Sequence, residues 1–386
     1  MDKSKLKTRI LFFCIIFSFG FIQAVNQVSA GMSEVKQKFD KEMNSNQGPL
    51  GSVSETKNQN SSKGSFDEKL KKAEAGDPFD QYQIGRLYHL GDGVPKDIDN
   101  AIEWYTRAAK RGDMLAQQAL GGIYSDINLG RLNYTESVKW YTEAAKQGDH
   151  YSKSFLGHLY AKGNGVQKNL KKAEELFIEA ASQSSLHCFL LGMIYMNGNI
   201  LPVDIEKGIY WYTKAAEDKD FPMSLAQNEL GKIYYEGKFV NKDINKAIEL
   251  FTKASEDGIN EAEVILANIY YKGDGIQQDY KKAFELAQKS ANKGNGYGQY
   301  LLGLMYFFGS GVSQDFEKAA ELYTKSAEQG NSNGQLGLAL MYLSGVGKNY
   351  DIQIGYMWLK KSSEQGNEFA KQSLLEFCNK NPLICN

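Results

Sequence analysis

LGLMYFFGSGVSQD, residues 302–315, leads through KAAELYTKSAEQG, residues 318–330, and this stretch decides the fold. Leu302 and Tyr306 stand four apart with Met305 on the same face. Ala319, Leu322, Tyr323 and Ala327 also recur at helical spacing, so the spacing predicts two amphipathic helices. Gly309 and Gly311 lie between them. Glycine reaches backbone angles that other residues avoid and marks the turn.

Outward from this stretch the chain repeats. The tyrosine that closes the first helix recurs as Tyr88, Tyr124, Tyr160, Tyr195, Tyr234, Tyr270, Tyr306 and Tyr342, at steps of 36, 36, 35, 39, 36, 36 and 36 residues. The anchor of the second helix keeps pace as Trp104, Trp140, Leu176, Trp211, Leu250, Leu286, Leu322 and Trp358. A fixed period in this range is the signature of stacked helical units, a solenoid. The expected fold is therefore all-α, an αα-solenoid of eight helix-turn-helix units. A lone helix at residues 66–75 and a last half-unit opened by Gly366-Asn367 close its two ends. In that last half-unit Leu374 takes the leucine slot and Cys378 the tyrosine slot. The second unit lacks the turn glycines, with Ile127-Asn128-Leu129 in their place.

The flanks divide differently. Residues 1–30 carry Lys3, Lys5, Lys7 and Arg9, an apolar run from Ile10 to Ile22, and Val28-Ser29-Ala30. These are the basic region, short apolar core and small-residue cleavage site of a signal peptide. Residues 31–65 are rich in Asn, Ser, Gln, Lys and Gly, a composition that reads as a disordered tether. The repeat array is assigned to residues 66–377 and a C-terminal tail to 378–386. The whole chain has a net charge of −1, and because the leader contributes +3 the rest stands at −4. That balance gives no general electrostatic drive toward nucleic acid. No stable membrane insertion is expected after cleavage.

The unit resembles the Sel-1-like repeat family, a relative of the tetratricopeptide repeat. Leu-Gly-x-x-Tyr appears as Leu156-Gly157-His158-Leu159-Tyr160. The turn appears as Gly91-Asp92-Gly93-Val94 with Asp97, and the second helix as Ala101, Trp104, Tyr105, Ala108 and Ala109. Ala267 and Ala339 depart from the glycine slot, and Gly208 and Gly355 from the first-alanine slot. The resemblance implies a right-handed superhelix whose first helices line a concave face, and a protein that binds other proteins. Asp97, Asp243, Asp279 and Asp315 precede second helices and are expected to cap them.

Signals for chemistry are sparse. His89, His150, His158 and His187 show no metal-helix spacing, and Cys-x-x-Cys is absent, so no metal or other cofactor is implied. Ser-x-x-Lys occurs at Ser33, Ser54 and Ser290 without a Lys-Thr-Gly partner. Some cysteine-rich relatives are linked to penicillin binding, but this chain lacks their cysteine pair in each repeat. Penicillin binding or β-lactam hydrolysis thus stands as an alternative reading, beside peptidoglycan or polysaccharide binding by aromatic columns. In an oxidising compartment Cys378 and Cys385 are expected to pair, leaving Cys188 packed between helices.

The sharpest signal is an apolar stripe. With Tyr306 placed at the core centre, Tyr300, Leu304 and Phe307 fall on the opposite side of their helix. Leu336, Leu340 and Leu343 repeat them one unit on, and Tyr271 belongs to the same columns one unit earlier. In the second unit these positions are Gln118, Gly122 and Ser125. The late stripe reads either as a protein- or peptide-binding groove on the concave face or as packing between neighbouring first helices. The groove reading takes Tyr271, Tyr300, Leu304, Phe307, Leu336, Leu340 and Leu343 as partner-binding residues, with Phe307 and Leu343 the most open. The expected function is an exported, non-enzymatic interaction scaffold, periplasmic or secreted, in envelope assembly or host interaction.

Overall fold

A computed structural model describes residues 59–219 and 223–385, with side chains from residue 66 onward. The signal peptide and most of the polar tether lie outside the described residues. Among those described, every regular element is helical, and they fall into two compact units. The first holds α1 (Gln59–Glu74), α2 (Pro78–Leu90), α3 (Ile98–Lys110), α4 (Met114–Ser125), α5 (Tyr134–Lys146), α6 (His150–Lys162), α7 (Leu170–Ala181), α8 (Ser185–Asn197), α9 (Ile205–Ala216) and most of α10 (Ser224–Glu236). The second holds α11 (Ile244–Glu256), α12 (Asn260–Lys272), α13 (Tyr280–Asn292), α14 (Gly296–Phe308), α15 (Phe316–Glu328), α16 (Ser332–Ser344), α17 (Ile352–Glu364), α18 (Glu368–Lys380) and α19 (Pro382–Cys385). Helix α1 begins inside the stretch assigned to the tether. Polarity denies that stretch a core, but Gln, Ser and Lys tolerate a helix well enough to extend one.

Turn chemistry sets the element ends. Asp97, Asp243, Asp279 and Asp315 each accept a hydrogen bond from the backbone N–H three residues on, at 2.9–3.0 Å. That bond satisfies an amide the helix itself leaves free. The first helices end on a left-handed glycine, as at Gly309 with φ 69°. In the second unit of the sequence Ile127–Leu129 forms a 3₁₀ turn, and the left-handed residue is moved to Gly130, φ 65°.

The core explains the glycine slot. A β-carbon built at Gly121 would stand 2.6 Å from the Tyr141 ring, one at Gly157 2.8 Å from Phe177, and one at Gly192 2.5 Å from Tyr212. Each aromatic comes twenty residues later, on the second helix of the same repeat. Where the slot holds Ala267 or Ala339, the residue twenty on is Ala287 or Leu359, not a ring, and each pair shares a core cluster. The departures are therefore matched substitutions. Gly121→Ala is expected to destabilise the first unit. Helix propensity favours the change by roughly 1 kcal/mol, but overpacking costs about 1–3 kcal/mol, and Tyr141 is too buried to swing aside. A lower melting temperature is the expected result; a rise would refute the close-approach reading.

A polar ladder ties consecutive repeats. Gln147 Nε2 donates to Gln117 Oε1, Gln329 Nε2 to Gln299 Oε1, and Gln365 Nε2 to Gln335 Oε1, all at 2.7 Å. One rung is ionic: the Lys293 ammonium donates to fully buried Glu263 at 2.7 Å, with Lys289 at 2.8 Å from the same oxygen. A buried carboxylate is tolerated only when paired in this way. At the C-terminal end Cys378 and Cys385 are disulfide-bonded, holding α19 against α18. Cys188 is a free, buried thiol that donates to the Ala181 carbonyl at 3.0 Å, and burial pushes it up to about 11.

Candidate protein-binding site

Helix α14 carries two apolar faces, and the structure assigns both. The deeply buried one centres on Leu301 and Met305, at 1% and 0% exposure. Tyr306 sits on its flank, half-buried, with the Lys318 ammonium 5.2 Å from its ring centre. Phasing the helix on Tyr306 is therefore off by about one residue, or 100°. This corrects the stripe. Tyr300 and Leu336 are core residues at 4% and 1% exposure. Tyr300 stacks on Tyr323 at 6.0 Å and shares a cluster with Leu338 and Met341 of α16. Leu336 shares one with Leu359 of α17 and Ala370 of α18. For these two residues, packing between repeats is the right reading of the stripe.

The remaining residues are less covered. Leu304, Phe307, Leu343 and Tyr271 are half-buried and Leu340 is exposed, so Leu340 rather than Phe307 or Leu343 is the most open. Phe307 is held edge-on by Phe308 at 5.0 Å and Phe316 at 5.2 Å. Tyr271 leans on Tyr280 at 5.5 Å, the same arrangement 36 residues earlier. The structure thus gathers Leu340 and Leu343 at one place and leaves Tyr271 in another. Leu340 and Leu343 line a cleft of about 210 Å³ completed by Leu359, Ser373 and Phe377. Phe377 is positioned by stacking on Tyr356 at 5.6 Å. The sequence reading missed Leu359, Ser373 and Phe377 because they lie on α17 and α18, outside the columns it followed.

The Ser-x-x-Lys motif of the array is taken up in packing contacts, and those at Ser33 and Ser54 lie outside the described residues. Ser290, the Ser-x-x-Lys serine of the array, is buried and donates to Asn260 Oδ1 at 2.7 Å. Its lysine, Lys293, is the partner of Glu263. Both groups are structural contacts. Among the described residues no three His, Cys, Asp or Glu side chains cluster as metal ligands. Also among them, no helix is long and apolar enough to cross a membrane.

The family model for the Sel1 repeat matches eight successive segments, residues 78–113, 115–149, 150–185, 188–220, 224–259, 260–295, 296–331 and 332–367. The chain belongs to the Sel1 repeat family. Its Sel1 repeats form a solenoid, and Sel1 repeats generally mediate protein interactions and are generally non-catalytic. Similar solved structures include a protective antigen present in uropathogenic Escherichia coli strains, which displays an SLR fold. That protein is 32% identical with a TM-score of 0.69, over 82% of this chain and 67% of the other. A Sel1 repeat protein from Oxalobacter formigenes is 28% identical with a TM-score of 0.64, over 85% and 97%. No curated protein matches the chain by sequence. The cleft lies at the junction of the last Sel1 repeat with the half-repeat that follows residue 367.

Proposed function

We propose that this Sel1 repeat chain is an exported scaffold that captures a protein or peptide partner through the cleft lined by Leu340 and Leu343. One observation carries the site: Leu340 keeps 37% of its surface open, whereas Leu336, one turn earlier on the same helix, is 1% exposed. A few large apolar side chains in a concave setting supply most of the energy of an interface. Export rests on the sequence of residues 1–30, and a role at a host or envelope surface takes support from the antigen of uropathogenic Escherichia coli that this chain resembles. Peptides selected on the wild-type chain from a displayed random library are expected to bind Leu340→Gln at least tenfold more weakly. Equal affinity for both proteins would remove the cleft from the proposal. Mass spectrometry of exported material is expected to find a mature end near Gly31, and a retained Met1 would contradict export by cleavage.

A further inference from the structure

The last helical turn of the array is pinned differently from the others. In the two repeats before it, the chain leaves the first helix on a left-handed glycine and is then tied back to the tyrosine slot. Gly309 has φ 69°, and the Asp315 N–H donates to the Tyr306 carbonyl at 2.9 Å. Gly345 has φ 72°, and the Asp351 N–H donates to the Tyr342 carbonyl at 3.1 Å. Helix α18 carries Cys378 in that slot and ends on Asn381, φ −134°, outside the left-handed region. Here the chain beyond the helix is fastened to the slot covalently, by the Cys378–Cys385 disulfide.

Noncovalent hold on this segment is slight. Helix α19 is a single turn and its Leu383 is 94% exposed; one helical turn does not persist on its own. Asn381 leans on its neighbours. Its backbone N–H and its Nδ2 donate to the Phe377 carbonyl at 2.9 and 3.0 Å, and its own carbonyl accepts from the Ile384 N–H at 3.1 Å. Glu376, Phe377, Lys380 and Asn381 are four of the eight residues that line the cleft. Phe377 has a second anchor in the Tyr356 ring. Lys380 and Asn381 lie inside the loop that the disulfide closes.

Resting on the docking and export readings above, we propose that the Cys378–Cys385 bond is a redox gate on the cleft. Oxidised, it fixes the rim at Lys380 and Asn381 and the cleft binds its partner; reduced, the rim frays and binding weakens. Neither cysteine is fully buried, so the bond is open to thiol exchange. To form it, the two thiols pass two electrons and two protons to a disulfide of the oxidising compartment, which leaves as two thiols. A dithiol runs the exchange backwards through a mixed disulfide and leaves as a disulfide. Thiols stay reduced in the cytosol, so the cleft is incomplete until the chain has been exported. Fraying stops at Phe377, where the stack on Tyr356 holds, and the packing of Leu336 and Leu359 is untouched.

The test compares the oxidised full chain with the same chain in dithiothreitol, by amide hydrogen exchange and by affinity for a peptide selected on the oxidised form. Exchange at residues 378–385 should speed up at least tenfold on reduction, with α16 and α17 unchanged, and the peptide should bind at least fivefold more weakly. Cys378→Ser/Cys385→Ser should match the reduced chain and ignore dithiothreitol, whereas Cys188→Ser should keep the full response. Unchanged exchange on reduction would overturn the gate. So would protection lost along the whole of α16 and α17, which would make the bond a brace for the end of the array. A peptide weakened by Leu340→Gln but indifferent to reduction would overturn the gate and leave the docking reading standing. Indifference to Leu340→Gln would remove the docking reading and the gate with it.

Discussion

Leu336→Ala is expected to cost the second unit about 2–5 kcal/mol, the range for emptying a fully buried leucine site. Leu336 is 1% exposed and is packed with Leu359, Ala339 and Ala370. Truncating it removes contacts to two helices together, so little of the void can close. Tyr300→Ala belongs with it, because the ring is buried against Tyr323. Leu340→Gln, four residues along the same helix, should stay within about 0.5 kcal/mol, the usual bound for surface changes. Thermal and urea unfolding of the three variants beside wild type is the measurement. Similar losses for Leu336→Ala and Leu340→Gln would mean that the stripe is one continuous packing surface and that no part of it is free to bind.

Acid should weaken the first unit, and His187 is the cause. Its imidazole is 2% exposed and neither ring nitrogen has a hydrogen-bond partner among the described residues. The groups that face it are His150, edge-on at 5.0 Å, and Tyr151 at 5.1 Å. Asp149 and Lys153 act on His150 with opposite signs, and Lys153 is itself paired with Glu179. Burial first, and then His150, push His187 down to about 3. The folded state therefore resists a proton that the unfolded chain accepts near pH 6.5. Stability is fully present above that pH and drains away as pH falls toward 3. By pH 4 the loss from this one group is about 3 kcal/mol, at about 1.4 kcal/mol for each pKa unit. His187 also stands where six of the seven other repeats carry a small residue, Ala116, Ser152, Ala226, Ala262, Gly298 and Gly334, and the first carries Asp80. His187→Ala thus restores the small residue and should flatten the decline in melting temperature between pH 6.5 and 4. An equally steep decline in the variant would assign the acid sensitivity elsewhere.

Much of this architecture is legible from residue spacing. The period, the pairing of helices, the capping aspartates and the half-repeats at the ends all follow from local chemistry that each repeat restates. The face assignments were harder to read. The late first helices α14 and α16 are apolar on more than one side, because each packs against its own second helix and against neighbouring repeats, so a stripe opposite Tyr306 does not by itself tell exposure from packing. Phasing on Leu301 and Met305 leaves Tyr300 as far from the core centre as phasing on Tyr306 does; its burial comes from Tyr323 and from Leu338 and Met341 of the next repeat. The cleft was not legible in the stripe, because Leu359, Ser373 and Phe377, which complete it, lie on α17 and α18. The contact of His150 with His187 was invisible to motif spacing, since the two rings come from successive repeats. The matched pairs of Ala267 with Ala287 and Ala339 with Leu359 were in plain view, but their meaning required knowing that the glycine slot faces a ring.

The central claim is that one end of the apolar stripe holds the array together and the other holds a partner. The most direct measurement pairs two quantities on one variant: the melting temperature of Leu340→Gln and its affinity for a peptide selected on the wild-type chain. The account predicts an unchanged melting temperature, within about 0.5 kcal/mol of stability, with affinity reduced at least tenfold. A variant that melts early and still binds the peptide at full affinity would contradict it.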